Sequence, residues 1–110
     1  MKIAVIGSRC IQISDIKEYI PDGATEIVSG GAKGVDMCAR TYAQRNGLIL
    51  TEFLPEYNKF GRAAPLRRNL QIIDYADVVI AIWDGKSKGT AYVIEQCKKQ
   101  NKPIKVYKVT

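Results

Sequence analysis

Residues 26–43, EIVSGGAKGVDMCARTYA, decide the fold. The first four, with Ile27 and Val28 at their centre, read as a short strand that stops at two glycines. Apolar side chains then recur at Val35, Cys38, Ala39, Tyr42 and Ala43. That spacing, i, i+3, i+4, i+7, i+8, is one face of a helix. Asn46-Gly47 ends it, because glycine readily takes the left-handed conformation that closes a helix. A strand, a glycine turn and a helix make half of a βαβ unit, and the rest of the chain repeats the pattern.

KIAVI (2–6) is an apolar run before Gly7 and reads as a strand. SDIKEYI (14–20) reads as a helix with Ser14 as N-cap and Pro21 just beyond its end. LILTEF (48–53) is a third strand. The stretch 54–65, with two prolines, a glycine and two aromatics, reads as a loop. Leu66, Leu70 and Ile73 mark a helical stripe, and DVVIAIW (77–83) is a fourth strand. DGKSKG (84–89) reads as a loop. Ala91, Val93, Ile94 and Cys97 share one more helical face, closed between Gln100 and Pro103, and IKVYKV (104–109) is the last strand. Strands alternating with helices predict an α/β domain spanning 1–110, with a mostly parallel five-stranded sheet and helices on both faces. No internal repeat, linker or low-complexity segment interrupts it.

The 110 residues are 46% apolar and 25% charged, an ordinary globular composition. The N-terminal apolar run is four residues, too short for a signal peptide, and no run approaches the roughly 20 residues of a membrane span. These features lead us to expect a cytoplasmic protein with no membrane partner. Cys10, Cys38 and Cys97 are odd in number and widely spaced, which argues against a disulfide framework and a zinc site. There is no histidine, so any acid–base chemistry falls to Asp, Glu, Tyr, Lys or Cys. Charge balances over residues 1–85, and residues 86–110, with seven lysines and one glutamate, carry the whole net +6. This is either a basic face for nucleic acid or ordinary helix and edge chemistry. In the second reading Lys98, Lys99 and Lys102 complement a helix C-terminus, and Lys105 and Lys108 guard an edge strand.

In a parallel sheet every strand-to-helix loop emerges at one edge, where ligands bind. Those loops are Gly7-Ser8-Arg9, then Gly30-Gly31-Ala32-Lys33-Gly34 after Ser29, then the segment from Asp84 and Gly85 to Gly89-Thr90. Helix N-termini offer unpaired N–H groups and partial positive charge, and glycine lets that backbone approach an anion. A phosphate or carboxylate suits such a site, and Arg9 and Lys33 would add charge. Tight turns that involve no ligand are the competing explanation for each loop. Gly-x-Gly-x-x-Gly is absent after the first strand. Gly85-Lys86-Ser87 looks like the end of a P-loop, but the glycine required five residues earlier is Ile80. Cys10 is a candidate reactive thiolate, and Trp83, Tyr57 and Phe60 are candidates to stack on a base. An inert thiol and core packing are the alternatives.

Four stretches in order, VIGSR (5–9), SGGAKGVDMCA (29–39), GRAAPLRRN (61–69) and ADVVIAIWDGKSKGT (76–90), resemble the SLOG superfamily of Rossmann-like domains, especially its YspA-like branch. Relatives in that superfamily include DNA-processing protein A and the Lonely Guy phosphoribohydrolases. The resemblance covers almost the whole chain and implies a three-layer Rossmann-like fold. It also implies a nucleotide or nucleotide derivative as ligand, no certain cofactor, and pairing into homo-oligomers. By the same carry-over Gly7, Ser8 and Arg9 form the pocket floor. Gly30, Gly31, Ala32 and Gly34 hold phosphate, Gly89 and Thr90 offer a second phosphate site, and Arg68 and Asn69 reach the ligand from the third helix. Asp36 either contacts a sugar hydroxyl or complements its helix dipole.

The phosphoribohydrolases carry a catalytic glutamate three residues after the Gly-Thr threonine. Here that position is Val93, and the nearest glutamate is Glu95. At 100° per residue the two positions face directions about 160° apart, so Glu95 is a poor substitute. Asp84 and Asp36 are the remaining carboxylates for catalysis, and Asp84 also fits a turn former. Three functions follow. The first is a nucleotide-binding sensor or ligand-recognition protein. The second is an enzyme cleaving an N-glycosidic or phosphoribosyl bond. The third is a single-stranded nucleic-acid binder using the lysine cluster with Tyr92 or Tyr107.

Overall fold

The computed structural model describes residues 1–8, 16–31 and 34–109. Five strands form one sheet: β1 (Lys2–Gly7), β2 (Glu26–Ser29), β3 (Ile49–Glu52), β4 (Val78–Trp83) and β5 (Ile104–Lys108). Their order is β3-β2-β1-β4-β5, and every neighbouring pair is parallel. The expected sheet was mostly parallel; the observed one is wholly so. The helices are α1 (Val35–Arg45), α2 (Tyr57–Phe60), α3 (Ala64–Tyr75) and α4 (Lys88–Lys99). This is a three-layer, Rossmann-like α/β fold.

The layers follow from the alternation of side chains along each strand. Ile3, Val5, Ile27, Ile80 and Ile82 pack with Val35, Ala39 and Ala43 of α1 on one face. Ala4, Ile6, Val28, Val79 and Ala81 pack with Ile72 and Ile73 of α3 and Val93, Ile94 and Cys97 of α4 on the other. The central strands β1 and β4 are buried on both faces, which is why they read as unbroken apolar runs. The edge strands differ. Ile49 of β3 is 62% exposed, and on β5 both Lys105 and Lys108 are exposed, the placement expected for edge protection. Burial pushes the Cys97 thiol up to about 11, so it behaves as an inert apolar group.

Helix α1 runs as its stripe predicts. Asn46 closes it, Gly47 follows at φ 64°, and the Leu48 N–H bonds back to Ala43 O at 3.0 Å. Three expectations need correction. The helix expected over 14–20 is, among the described residues, a single 3-10 turn, Lys17–Tyr19, and Ser14 lies outside them. Pro21 holds Ile20 in the extended region (φ −92°, ψ 120°), so the turn cannot continue. The stretch 54–65 is largely helical: α2 and a 3-10 turn (Gly61–Ala63) lead directly into α3. Pro65 belongs to the first turn of α3, where a missing N–H costs nothing. Helix α4 likewise starts at Lys88, inside the expected loop. Lys98 and Lys99 occupy its last turn, whereas Lys102 Nζ donates to Ala76 O at 2.6 Å and ties down the chain after α3.

At the N-terminal edge of the sheet Asp77 and Lys2 are doubly bonded. The Lys2 N–H donates to Asp77 Oδ2 at 2.7 Å, and the Asp77 N–H donates to Lys2 O at 2.9 Å. The first of these holds the Asp77 carboxyl below its usual value. A depressed carboxyl stabilises the fold above the unfolded pKa, and that contribution fades as pH falls through the folded value. Asp77→Asn should therefore lower Tm by a constant amount from pH 7 to pH 5. The gap to the parent protein should close below about pH 4, as read by thermal melts across that range.

Candidate functional site

The strand order reverses between β1 and β4, and a cavity of about 510 Å³ opens at their C-terminal ends. Its size suits a small-molecule ligand. The floor is Ile6, Gly7 and Ser8 from β1. Gly30 comes from the β2–α1 connection, Asp36 from the first turn of α1, and Asp84, Lys86 and Ser87 from the loop after β4. Gly89, Thr90 and Val93 come from α4, and Pro65, Leu66, Arg68, Asn69 and Ile72 from α3. Nine of the expected residues are thus brought together: Gly7, Ser8, Gly30, Asp36, Arg68, Asn69, Asp84, Gly89 and Thr90. Ser29 and Gly31 do not line the cavity. Ser29 is fully buried, and its hydroxyl accepts the Gly31 N–H at 3.3 Å. Gly34, also off the cavity wall, is the residue from which α1 starts, at φ 76°. Arg9, Cys10, Ala32 and Lys33 lie outside the described residues.

Two of the glycines answer to packing. A Cβ on Gly7 would stand 2.6 Å from Ile82 O and 2.6 Å from Val35 Cγ2, so the end of β1 meets α1 only through glycine. A Cβ on Gly30 would lie 2.9 Å from Arg68 Cζ and 3.1 Å from Asp36 Oδ2. Arg68, only 8% exposed, crosses from α3 and donates through Nη1 to Gly30 O at 2.8 Å and through Nε to Asn69 Oδ1 at 2.8 Å. Asp36, 7% exposed, projects from the first turn of α1 to the same place. Charged atoms from two helices therefore meet beside one bare backbone position. Gly89 is different: nothing lies within 4 Å of where its Cβ would be.

The loop after β4 is braced by its own polar groups. Asp84 Oδ1 accepts the N–H groups of Lys86 and Ser87, each at 2.8 Å, the turn-forming role open to an aspartate after a strand. The Asp84 N–H donates to Ser8 Oγ at 3.2 Å, linking this loop to the end of β1. The Trp83 indole N–H donates to Ser87 O at 3.1 Å, and its ring packs on the α3–α4 side of the core. Trp83, Tyr57 and Phe60 are not among the cavity-lining residues, whose apolar members are aliphatic.

Several loop amides are accordingly used within the protein: Ser8 to Ile82 O, Gly31 to Ser29, and Asp84, Lys86 and Ser87 as above. Among the described residues, the start of α4 still offers such amides to the cavity. Helix α4 has no side-chain cap, and its first helical bond is from the Ala91 N–H to Ser87 O. The amides of Lys88, Gly89 and Thr90 precede that bond and have no helical acceptor. Lys86 and Arg68 line the same cavity. Val93 faces the cavity from α4, while Glu95 is 64% exposed and pairs with Lys99 at 3.3 Å.

Sequence reasoning missed Ile6, Pro65, Leu66, Ile72, Lys86, Ser87 and Val93 as lining residues. Pro65 and Leu66 enter because α3 begins earlier than its stripe suggests. The other apolar members looked like plain core. Lys86 had a signal: it is a lysine in the loop whose glycines were already singled out.

Comparison of the chain with protein-family models, with curated proteins and with solved structures finds no match. Among the described residues no group of three or more His, Cys, Asp or Glu could hold a metal ion. Among them, too, no helix is long and apolar enough to cross a membrane.

Gly30→Ala should destabilise the protein by about 1–3 kcal/mol, because the new methyl displaces the Arg68 guanidinium from its carbonyl. Urea unfolding measures the loss. Asp84→Ala, which frees two loop amides, should cost about 1 kcal/mol by the same measurement.

Proposed function

We propose that the protein binds a nucleotide or nucleotide-derived phosphorylated ligand in this cavity, as a sensor or ligand-recognition protein. Gly89 carries the reading. Glycine in a helix costs about 0.5–1 kcal/mol relative to alanine, and at this position no packing contact requires it. What the missing side chain does leave is room for a ligand to reach the uncapped amides of α4. Lys86 and Arg68 add positive charge, and the aliphatic wall of Ile6, Leu66, Ile72 and Val93 suits the less polar part of a nucleotide. The resemblance to the SLOG superfamily supports the same ligand class, and membership in that superfamily is part of the proposal. So are a cytoplasmic setting and self-association, which rest on the sequence reading and on that resemblance respectively.

Phosphoribohydrolase or N-glycosidic cleavage is the weaker reading. Val93 stands where a catalytic glutamate would be, Glu95 is turned to solvent, and Asp84 Oδ1 is held by two amides. Asp36 remains as a buried carboxylate in the cavity. Single-stranded nucleic-acid binding draws on the lysine-rich C-terminal region, but Tyr107 packs edge-to-face on Tyr19, with ring centroids 4.9 Å apart, and is not an open stacking platform.

Native mass spectrometry of freshly purified protein, followed by thermal shifts with mono-, di- and cyclic nucleotides and ADP-ribose-like compounds, tests the proposal. A retained or stabilising nucleotide is expected, without turnover. Stabilisation by oligonucleotides alone would overturn it. Gly89→Val should leave the unliganded Tm within a few degrees of the parent protein and reduce the nucleotide-induced shift by more than half. An unreduced shift would exclude the α4 amides as the binding group.

A further inference from the structure

We propose that Asn69 presents the N–H half of its amide to the ligand, and so selects an acceptor atom at the α3 wall of the cavity. The inference rests on the nucleotide-binding reading above for its ligand, but its polarity comes from the protein alone. An asparagine amide offers an acceptor oxygen and a donor nitrogen, and its direction is settled by its neighbours. The Arg68 guanidinium has no acceptor to offer. Its Nε–H therefore requires Oδ1 of Asn69, which it meets at 2.8 Å. Arg68 is itself held in place, because Nη1 is bonded to Gly30 O at 2.8 Å and the side chain is buried.

The Asn69 amide thus cannot turn over without breaking a charge-assisted bond in a poorly hydrated site. Its Nδ2 has no acceptor among the described residues, while Asn69 lines the cavity. The half of the amide left for a ligand is the half with two N–H groups. Ser8 adds a second donor from the cavity floor. Its oxygen accepts the Asp84 N–H, and its hydroxyl hydrogen can be given to the ligand. The matching ligand atoms are phosphoryl oxygens, a carbonyl oxygen or an unprotonated ring nitrogen.

Asn69→Asp separates this role from a structural one. Aspartate keeps an oxygen for Arg68 Nε and turns the donor into an acceptor. The variant should hold or raise its Tm, yet bind AMP at least tenfold more weakly than the parent protein. In this partly buried site salt weakens charge repulsion without abolishing it, so a loss that vanishes between 0.05 and 0.5 M salt belongs to the new charge alone. Adenosine and inorganic phosphate as separate probes show whether the acceptor belongs to the nucleoside or the phosphate. Equal affinity in the variant, or a loss that disappears in high salt, overturns the proposal. Independently of any ligand, the Asn69 side-chain amide hydrogens should exchange rapidly in the free protein and the Arg68 Hε slowly. A protected Asn69 amide would mean that the protein already uses the donor, and the proposal fails. Absence of AMP, adenosine and phosphate binding in the parent protein, with that exchange pattern present, would instead count against the nucleotide reading and leave the donor polarity standing.

Discussion

All five strands run in one direction, and everything that the cavity can do depends on this. Parallel pairing forces each strand to return through a helix, so the turns that follow β1, β2 and β4 leave the sheet at the same edge. Where the order reverses between β1 and β4, α1 packs on one face and α3 and α4 on the other, and the cavity opens there. The N-terminus of α4 opens into that cavity because the chain must turn from β4 to the α3 side of the sheet. A positive helix end, a lysine and a buried arginine thus arrive together as a result of topology.

Within that frame the polar groups are divided between holding the site and facing it. Asp84, Ser29 and the oxygen of Ser8 absorb amides that the glycine turns would otherwise expose. Arg68 fastens α3 to the β2 turn through Gly30. A buried guanidinium left without such bonds would be costly, so the glycine at position 30 and the arginine at 68 require one another. These bonds fix the polar groups of the loops in place, and such pre-organisation lowers the ordering cost of binding in general.

The opposite edge of the sheet shows a different use of charge. Glu26, nearly buried, accepts from Thr51 Oγ1 at 2.8 Å and from the Tyr75 hydroxyl at 2.6 Å. That bond raises the Tyr75 pKa, since the phenol's proton is what the carboxylate holds. Lys2 Nζ stands 4.1 Å from the centre of the Tyr75 ring. Here the end of α3 is joined to β2 and β3, so α3 is anchored at both ends: by Arg68 beside the cavity and by Tyr75 at the far side.

Sequence alone determined the layered α/β class, the parallel direction and the edge at which the glycine turns meet. These follow from period-two and period-3.6 patterning and from the geometry of right-twisted parallel sheets, all of which are local or general. Its glycine turns pointed to the Gly89-Thr90 pair, whereas Arg68, Asn69 and Asp36 were singled out through the resemblance to a known superfamily; all five line one cavity. The sequence could not say which glycines serve packing and which leave room, because Gly7, Gly30 and Gly89 are the same letter and differ only in what stands across from them. Nor could it show that Asp84 turns its carboxylate back to its own loop, that α3 begins at Ala64, or that Trp83 faces the core. Those outcomes depend on contacts between residues distant in the chain or on how a loop closes, and only the tertiary structure decides them.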